Sequence, residues 1–257
     1  MRQWTLLCKK ELIELARSYK LIWLPLVFVL LGISQPITSY FLPDILQGAG
    51  NLPEGTTIEI PLPQGGEVLA QTLQQFGVIG ALIIALAFMG TVSGERSSGV
   101  ASMILVKPVS HAAFLLSKLT AMLLIVWTSL LLGYLGAWYY TQLLIGKVDG
   151  SSVVQGVLVY GLWLMLIGTL TVVLSVWLKS PAATAFTALG ITLVISLLAS
   201  LLPAAMAWSP GQLPSIASTV LIVGEAAGTI KAIVGTFALV VLVIWSSLWK
   251  MKSLELQ

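Results

Sequence analysis

Six long apolar stretches, almost free of charge, restrict this chain to one kind of solvent. They run from about Leu21 to Leu42, within Val68–Gly94, Leu119–Gly146, Ser151–Leu178 and Ala182–Leu202, and from about Ala232 to Trp249. A helix of about 20 apolar residues crosses the hydrocarbon of a bilayer. The chain is 58% hydrophobic and 9% charged, against about 25% charged in a typical soluble domain. A water-soluble fold of 257 residues cannot hide that much apolar surface. The expected fold class is an all-α membrane protein with six transmembrane helices.

The charges orient the bundle. With the N-terminus in the cytoplasm, eleven of the thirteen basic residues fall inside: Arg2, Lys9, Lys10, Arg17, Lys20, Arg96, Lys107, Lys118, Lys179, Lys250 and Lys252. Only Lys147 and Lys231 fall outside. Such an excess on one side sets the topology of a multi-pass protein, so both termini are expected in the cytoplasm. The net charge of +3 sits mostly where anionic lipid attracts it and gives no footprint for nucleic acid. The single cysteine, Cys8, permits no internal disulfide. The first twenty residues carry seven charges and no apolar core, so no cleavable signal peptide is expected.

The first of the flanking segments, residues 1–20, has Trp4, Cys8, Leu12, Leu15 and Tyr19 at helical spacing, with Lys9, Lys10, Glu14, Arg17 and Lys20 elsewhere around the wheel. A basic amphipathic helix of this kind lies in the membrane surface; the alternative is a simple extension of the first span. Residues 43–67 are expected outside. Pro43, Pro53, Pro61 and Pro63 oppose a long helix there, and Thr56–Ile60 alternates as a short strand would. Residues 203–230 are the third such segment. Pro203, Pro210 and Pro214 break its first half and Glu225 stands in its second. A carboxylate at the bilayer centre costs roughly 2.5–3.5 kcal/mol, which predicts an outer re-entrant or interfacial hairpin packed on protein. Glu225 and Lys231 are the nearest candidates for a polar outer gate. Gly90/Gly94, Gly224/Gly228 and Gly133/Ala137 have the spacing that lets helix backbones approach.

The inner segment 93–118 is the sharpest local signal: Gly94-Glu95-Arg96-Ser97-Ser98-Gly99, an apolar run to Leu105 and Val106, then Lys107-Pro108-Val109-Ser110-His111, and Lys118 at the opening of the third span. Pro108 disfavours helical geometry at Lys107. The Ser110 hydroxyl is placed to cap the following helix. The expected result is a stiff knuckle between two spans. This segment resembles the permease subunits of ATP-binding-cassette exporters of the type-2 (ABC-2) family, nearest the NosY-like branch. Glu95, Gly99, Leu105, Pro108, Val109, Ser110 and Lys118 match the family pattern. Gly99-Val100-Ala101-Ser102 stands where Gly-Thr-Leu-Glu is usual, and His111 where Arg is usual, which alters the local charge.

The resemblance covers the whole layout, and it implies a single permease domain over 1–257 in a bacterial cytoplasmic membrane. It implies a second permease chain, the same or related, and two ATPase subunits that carry ATP and Mg²⁺. It further implies that Glu95, Arg96, Gly99, Leu105, Lys107, Pro108, Ser110, His111 and Lys118 couple the spans to that ATPase. The chain itself has no Gly-x-x-x-x-Gly-Lys-Ser/Thr phosphate cradle, so no nucleotide or other cofactor is expected on it. His111 is the only histidine, and no catalytic or metal-ligating cluster stands out in the sequence, which argues against an intramembrane enzyme. The spans carry no ionisable residue at depth, unlike ion-coupled carriers; an uncharged path fits an apolar or amphipathic substrate. A non-transporting anchor or assembly subunit is the other reading.

Overall fold

The computed structural model describes residues 2–48, 63–97 and 110–254. Those residues form helices joined by short turns. Six helical stretches are long and apolar enough to cross a membrane: Lys20–Pro43, Gly65–Ser97, His111–Leu144, Gly150–Trp177, Pro181–Leu201 and Thr229–Met251. At about 1.5 Å per residue the shortest, 21 residues, reaches about 31 Å, just the hydrocarbon thickness. The expected strand at Thr56–Ile60 lies outside the described residues.

Helix α1 (Arg2–Arg17) turns into α2 (Lys20–Gly48) at Tyr19, whose φ of 56° places a side-chain-bearing residue in the left-handed region. α2 runs through Pro25, Pro36 and Pro43. Pro43 therefore does not end the helix, as the sequence had led us to expect; the helix reaches Gly48. The second span is composite. α3 (Gly65–Gln75) opens with Glu67 accepting from the Gln64 backbone N–H at 3.2 Å. A π-helical turn (Phe76–Gly80), α4 (Ala81–Phe88) and α5 (Ser93–Ser97) follow. The third span and the helix before it form one unbroken α6 (His111–Leu144). Its first turn is capped as anticipated, with Ser110 Oγ accepting from the Ala113 N–H at 3.2 Å. α7 (Gly150–Trp177) starts at an Asp149 cap, and α8 (Pro181–Leu201) at a Ser180 cap after a three-residue link. A 3₁₀ turn (Pro210–Gln212) and α9 (Leu213–Val223) precede α10 (Thr229–Leu254).

α7 is the axis of the bundle: 83% of its apolar 18-residue stretch is buried, against 22% of the corresponding stretches of α2 and α10. The common core holds Phe28, Phe76, Ile84, Phe114, Met122 and α7's own Tyr160, all nearly inaccessible. The tightest crossing is α2 on α6. A Cβ placed on Gly32 would stand 2.1 Å from the Gly133 carbonyl oxygen, and one on Gly133 2.5 Å from that of Phe28. Only glycine permits that approach, and Ala137, one turn on, is fully buried. The other two glycine pairs differ from expectation. A Cβ on Gly90 or Gly94 would meet nothing within 4 Å. Gly224 and Gly228 have φ of 91° and 82°, so they form the turn between α9 and α10 and pack nothing. The polar residues near the end of the first span find partners on α3: Gln35 donates to Gln71 at 2.8 Å, and Gln75 to Ser34 at 3.4 Å.

The 203–230 segment is folded back onto protein. α9 buries Leu213, Ile216, Ala217, Val220 and Leu221. Gly66 of α3 and Gly156 of α7 both abut Leu221, and the Gln212 amide donates to the Ala199 carbonyl of α8 at 2.8 Å. Glu225 and Lys231 are both exposed. Trp23, Trp177, Trp208 and Trp249 are exposed, whereas Trp163 is buried in α7.

Candidate functional site

The polar centre of the molecule lies where α1, α5 and the first turns of α6 meet. α1 turns one face to the bundle, and the most buried positions on that face are Glu11 and Leu15. Cys8, Leu12 and Leu15 of the anticipated stripe lie on or beside it, but Trp4 and Tyr19 are exposed. A carboxylate therefore sits in the docked face. It is matched by Lys118 from the second turn of α6, whose side chain is 0% exposed. Lys118 Nζ is 3.0 Å from Glu11 Oε1 and 2.9 Å from Glu95 Oε1. Lys10 closes the network, at 2.5 Å from Glu95 Oε1 and 3.1 Å from both Glu11 and Glu14. Ring faces add to the cations: Lys118 lies 5.0 Å from the Phe114 centroid, and Lys20 5.5 Å from that of Phe88.

Three carboxylates with ligand atoms within 4.8 Å of one another would be an acidic cage were they alone. Here two ammonium groups provide the counter-charge at contact distance, so the cluster is an ion-pair network that fastens α1 to α5 and α6. Burial works against the Lys10 ammonium, but the hydrogen bond to Glu95 and the charges of Glu11 and Glu95 outweigh it and hold the lysine above its ordinary pKa. Glu14 moves the opposite way: burial is overcome by the Lys10 hydrogen bond and by the charges of Lys10, Lys118 and Lys20, and its carboxyl is held below the usual range. Lys20 donates to the Ala87 carbonyl at 2.6 Å, where the second span breaks between α4 and α5. A cavity of about 480 Å³ opens beside the network, lined by Glu11, Glu14, Lys20, Trp23 and Lys118.

The break itself is tied to the end of α7. The Ser175 hydroxyl accepts from the Val92 N–H at 3.2 Å, and the Arg96 guanidinium donates to the Val176 carbonyl at 3.0 Å. Of the residues singled out from the sequence, the structure thus gathers Lys10, Glu14, Glu95 and Lys118 into one network and turns Arg96 inward to the protein. Ser110 caps α6, and His111 lines a separate cavity of about 320 Å³ with Trp245 and Trp249. Lys9 and Arg17 are exposed on α1. Gly99, Leu105, Lys107 and Pro108 lie outside the described residues. The sequence reading missed Glu11. Its signal was a carboxylate in the middle of the Cys8–Leu15 face, a costly place unless a buried cation meets it.

Residues 5–220 match the family model described as "ABC-2 family transporter protein". The transmembrane protein YxlG of Bacillus subtilis (strain 168) is 35% identical over 221 residues, 86% of this chain and 86% of that protein.

Proposed function

This chain belongs to the ABC-2 transporter family, and from that premise we propose that it is the membrane-spanning permease subunit of an ATP-binding-cassette exporter. Two ATPase subunits bind ATP and Mg²⁺, and a second permease chain, the same or related, completes the path. The membrane is the bacterial plasma membrane, with both termini in the cytoplasm. α1 lies at the inner surface, residues 93–118 form the coupling loop, and 43–67 and 203–230 face outward. Glu225 and Lys231, exposed beside the α9–α10 turn, flank the outer mouth.

The observation that supports this best is the ion-pair network of Lys10, Glu11, Glu14, Glu95 and Lys118, with Glu11, Glu95 and Lys118 buried at its centre. It locks a surface helix to the bases of the two spans that flank the segment 98–109. A push on that segment reaches α5 and α6 together with α1 as one stiff unit, which is the mechanical requirement for transmitting motion. Glu95 and Lys118 act in this reading as positioning residues, since neither faces outward. Gly99, Leu105, Lys107, Pro108, Ser110 and His111 belong to the docking surface or its edge.

The test is purification of the tagged full chain in mild detergent. A nucleotide-binding protein with a phosphate-loop motif is expected to co-purify and to hydrolyse ATP faster with the permease than without it. Pro108→Ala is expected to lower that stimulation while leaving the chain inserted. Purified chain that hydrolyses ATP with no partner, or a C-terminal tail labelled from outside intact cells, refutes the proposal.

A further inference from the structure

A second cavity, of about 450 Å³, lies in the half of the bundle away from α1, between the π-helical turn, α7, α8 and α9. Tyr160 lies ten residues into α7, about 15 Å along a helix of about 42 Å, so this depth belongs to the hydrocarbon. The buried Tyr160 hydroxyl has no hydrogen-bond partner within the protein, and exposed Gln74 and half-buried Ser196 line the same cavity. Tyr160 is 1% exposed. Its hydroxyl stands over Gly77, where any Cβ would come within 2.6 Å of it. Glycine at 77 is what makes room for that hydroxyl beside the π-helical turn. π-Helical turns inside α-helical spans mark functional positions more often than chance.

A hydroxyl without a partner in an apolar medium costs about 1–3 kcal/mol, and water is not there to relieve it. This one buried hydroxyl, with the Gln74 amide and the Ser196 hydroxyl along the same opening, points to a polar group of a ligand. The opening faces sideways, because Val78 and Leu193 at its rim are 74% and 60% exposed. No charged residue lines it, and its volume is in the range of small-molecule sites. A helix, about 10–12 Å across with its side chains, is too thick to reach the Tyr160 hydroxyl at the floor.

We propose that this groove binds an uncharged amphipath that enters from the bilayer, its hydrocarbon chain against Trp163 and Leu193 and its hydroxyl or ester group bonded by Tyr160, Gln74 and Ser196. The groove and its ligand stand apart from the ATPase partner, so the site can exist whether or not the coupling reading holds.

The test uses the full chain in lipid nanodiscs and a monoacylglycerol carrying a diazirine in its chain. Photolabelling is expected to be saturable, to map to the π-helical turn and α8, and to be competed by mono-olein far better than by oleate, whose carboxylate has no cation to meet. Tyr160→Phe removes one hydrogen bond and is expected to weaken capture about fivefold. Leu193→Trp fills the mouth from the lipid side, without touching the core, and is expected to abolish it. Labelling spread evenly over the lipid-facing helices, or unchanged in both variants, overturns the proposal. So does a disulfide between copies bearing Val78→Cys that forms readily and excludes the probe, since the groove is then a subunit contact.

Discussion

Replacing Lys118 by methionine keeps most of the unbranched side chain and removes the ammonium with its charge and donors. The wild-type ammonium sits 3.0 and 2.9 Å from two buried carboxylates. At an effective dielectric constant of about 20, each contact is worth roughly 5–6 kcal/mol before desolvation. Burying the ammonium offsets much of that gain, and the measurable loss is the penalty of leaving carboxylates without their cation, about 3–5 kcal/mol. Lys10 remains as a counter-charge but is partly exposed, so it replaces only a fraction. The assay is unfolding of the purified chain in mixed micelles by titration with SDS, followed by tryptophan fluorescence. Lys118→Met is expected to lose about 3 kcal/mol or more. Adding Glu95→Gln, which removes one of the two stranded charges, is expected to restore part of the loss, although Glu95→Gln alone destabilises. Such opposite effects in one cycle are the signature of direct coupling. A loss under about 1 kcal/mol, as for a surface pair, or strict additivity in the double variant, refutes the argument that this network holds α1 in place.

The same network gives α1 a defined pH response. Glu14 is held below its ordinary value of 4.5 and Lys10 above its ordinary 10.5, so the stabilisation each lends is full between those values. It is lost as pH falls through the lowered glutamate value, and at the alkaline end as pH rises through the raised lysine value. A spin label at exposed Ile13 should be immobile in between and loosen toward acid; mobility that instead rises from acid to neutral pH contradicts the sign. Gly32→Val drives a side chain into the Gly133 carbonyl and is expected to cost at least about 1–3 kcal/mol, seen as a lower thermal midpoint, whereas Gly90→Ala, with open space around it, leaves the midpoint unchanged. Ser110→Ala removes the cap of α6 and should cost about 0.5–2 kcal/mol in the same micelle titration, with Ser110→Asp restoring most of it.

The segregation of apolar runs and basic residues is a property of the chain alone, because the bilayer acts on each segment through its own composition. The six spans and the Ser110 cap follow from local chemistry of that kind and were legible before any fold was known. Pro43 shows where local rules stop: α2 continues through it to Gly48. Glu11, Glu95 and Lys118 lie far apart in sequence, and nothing in their neighbours states that two helix starts and a surface helix converge on one point. Spacing alone could not tell Gly32 and Gly133, which let two helices touch, from Gly224 and Gly228, which bend a turn. Contacts between distant segments depend on which faces meet, and that is fixed only when the helices pack.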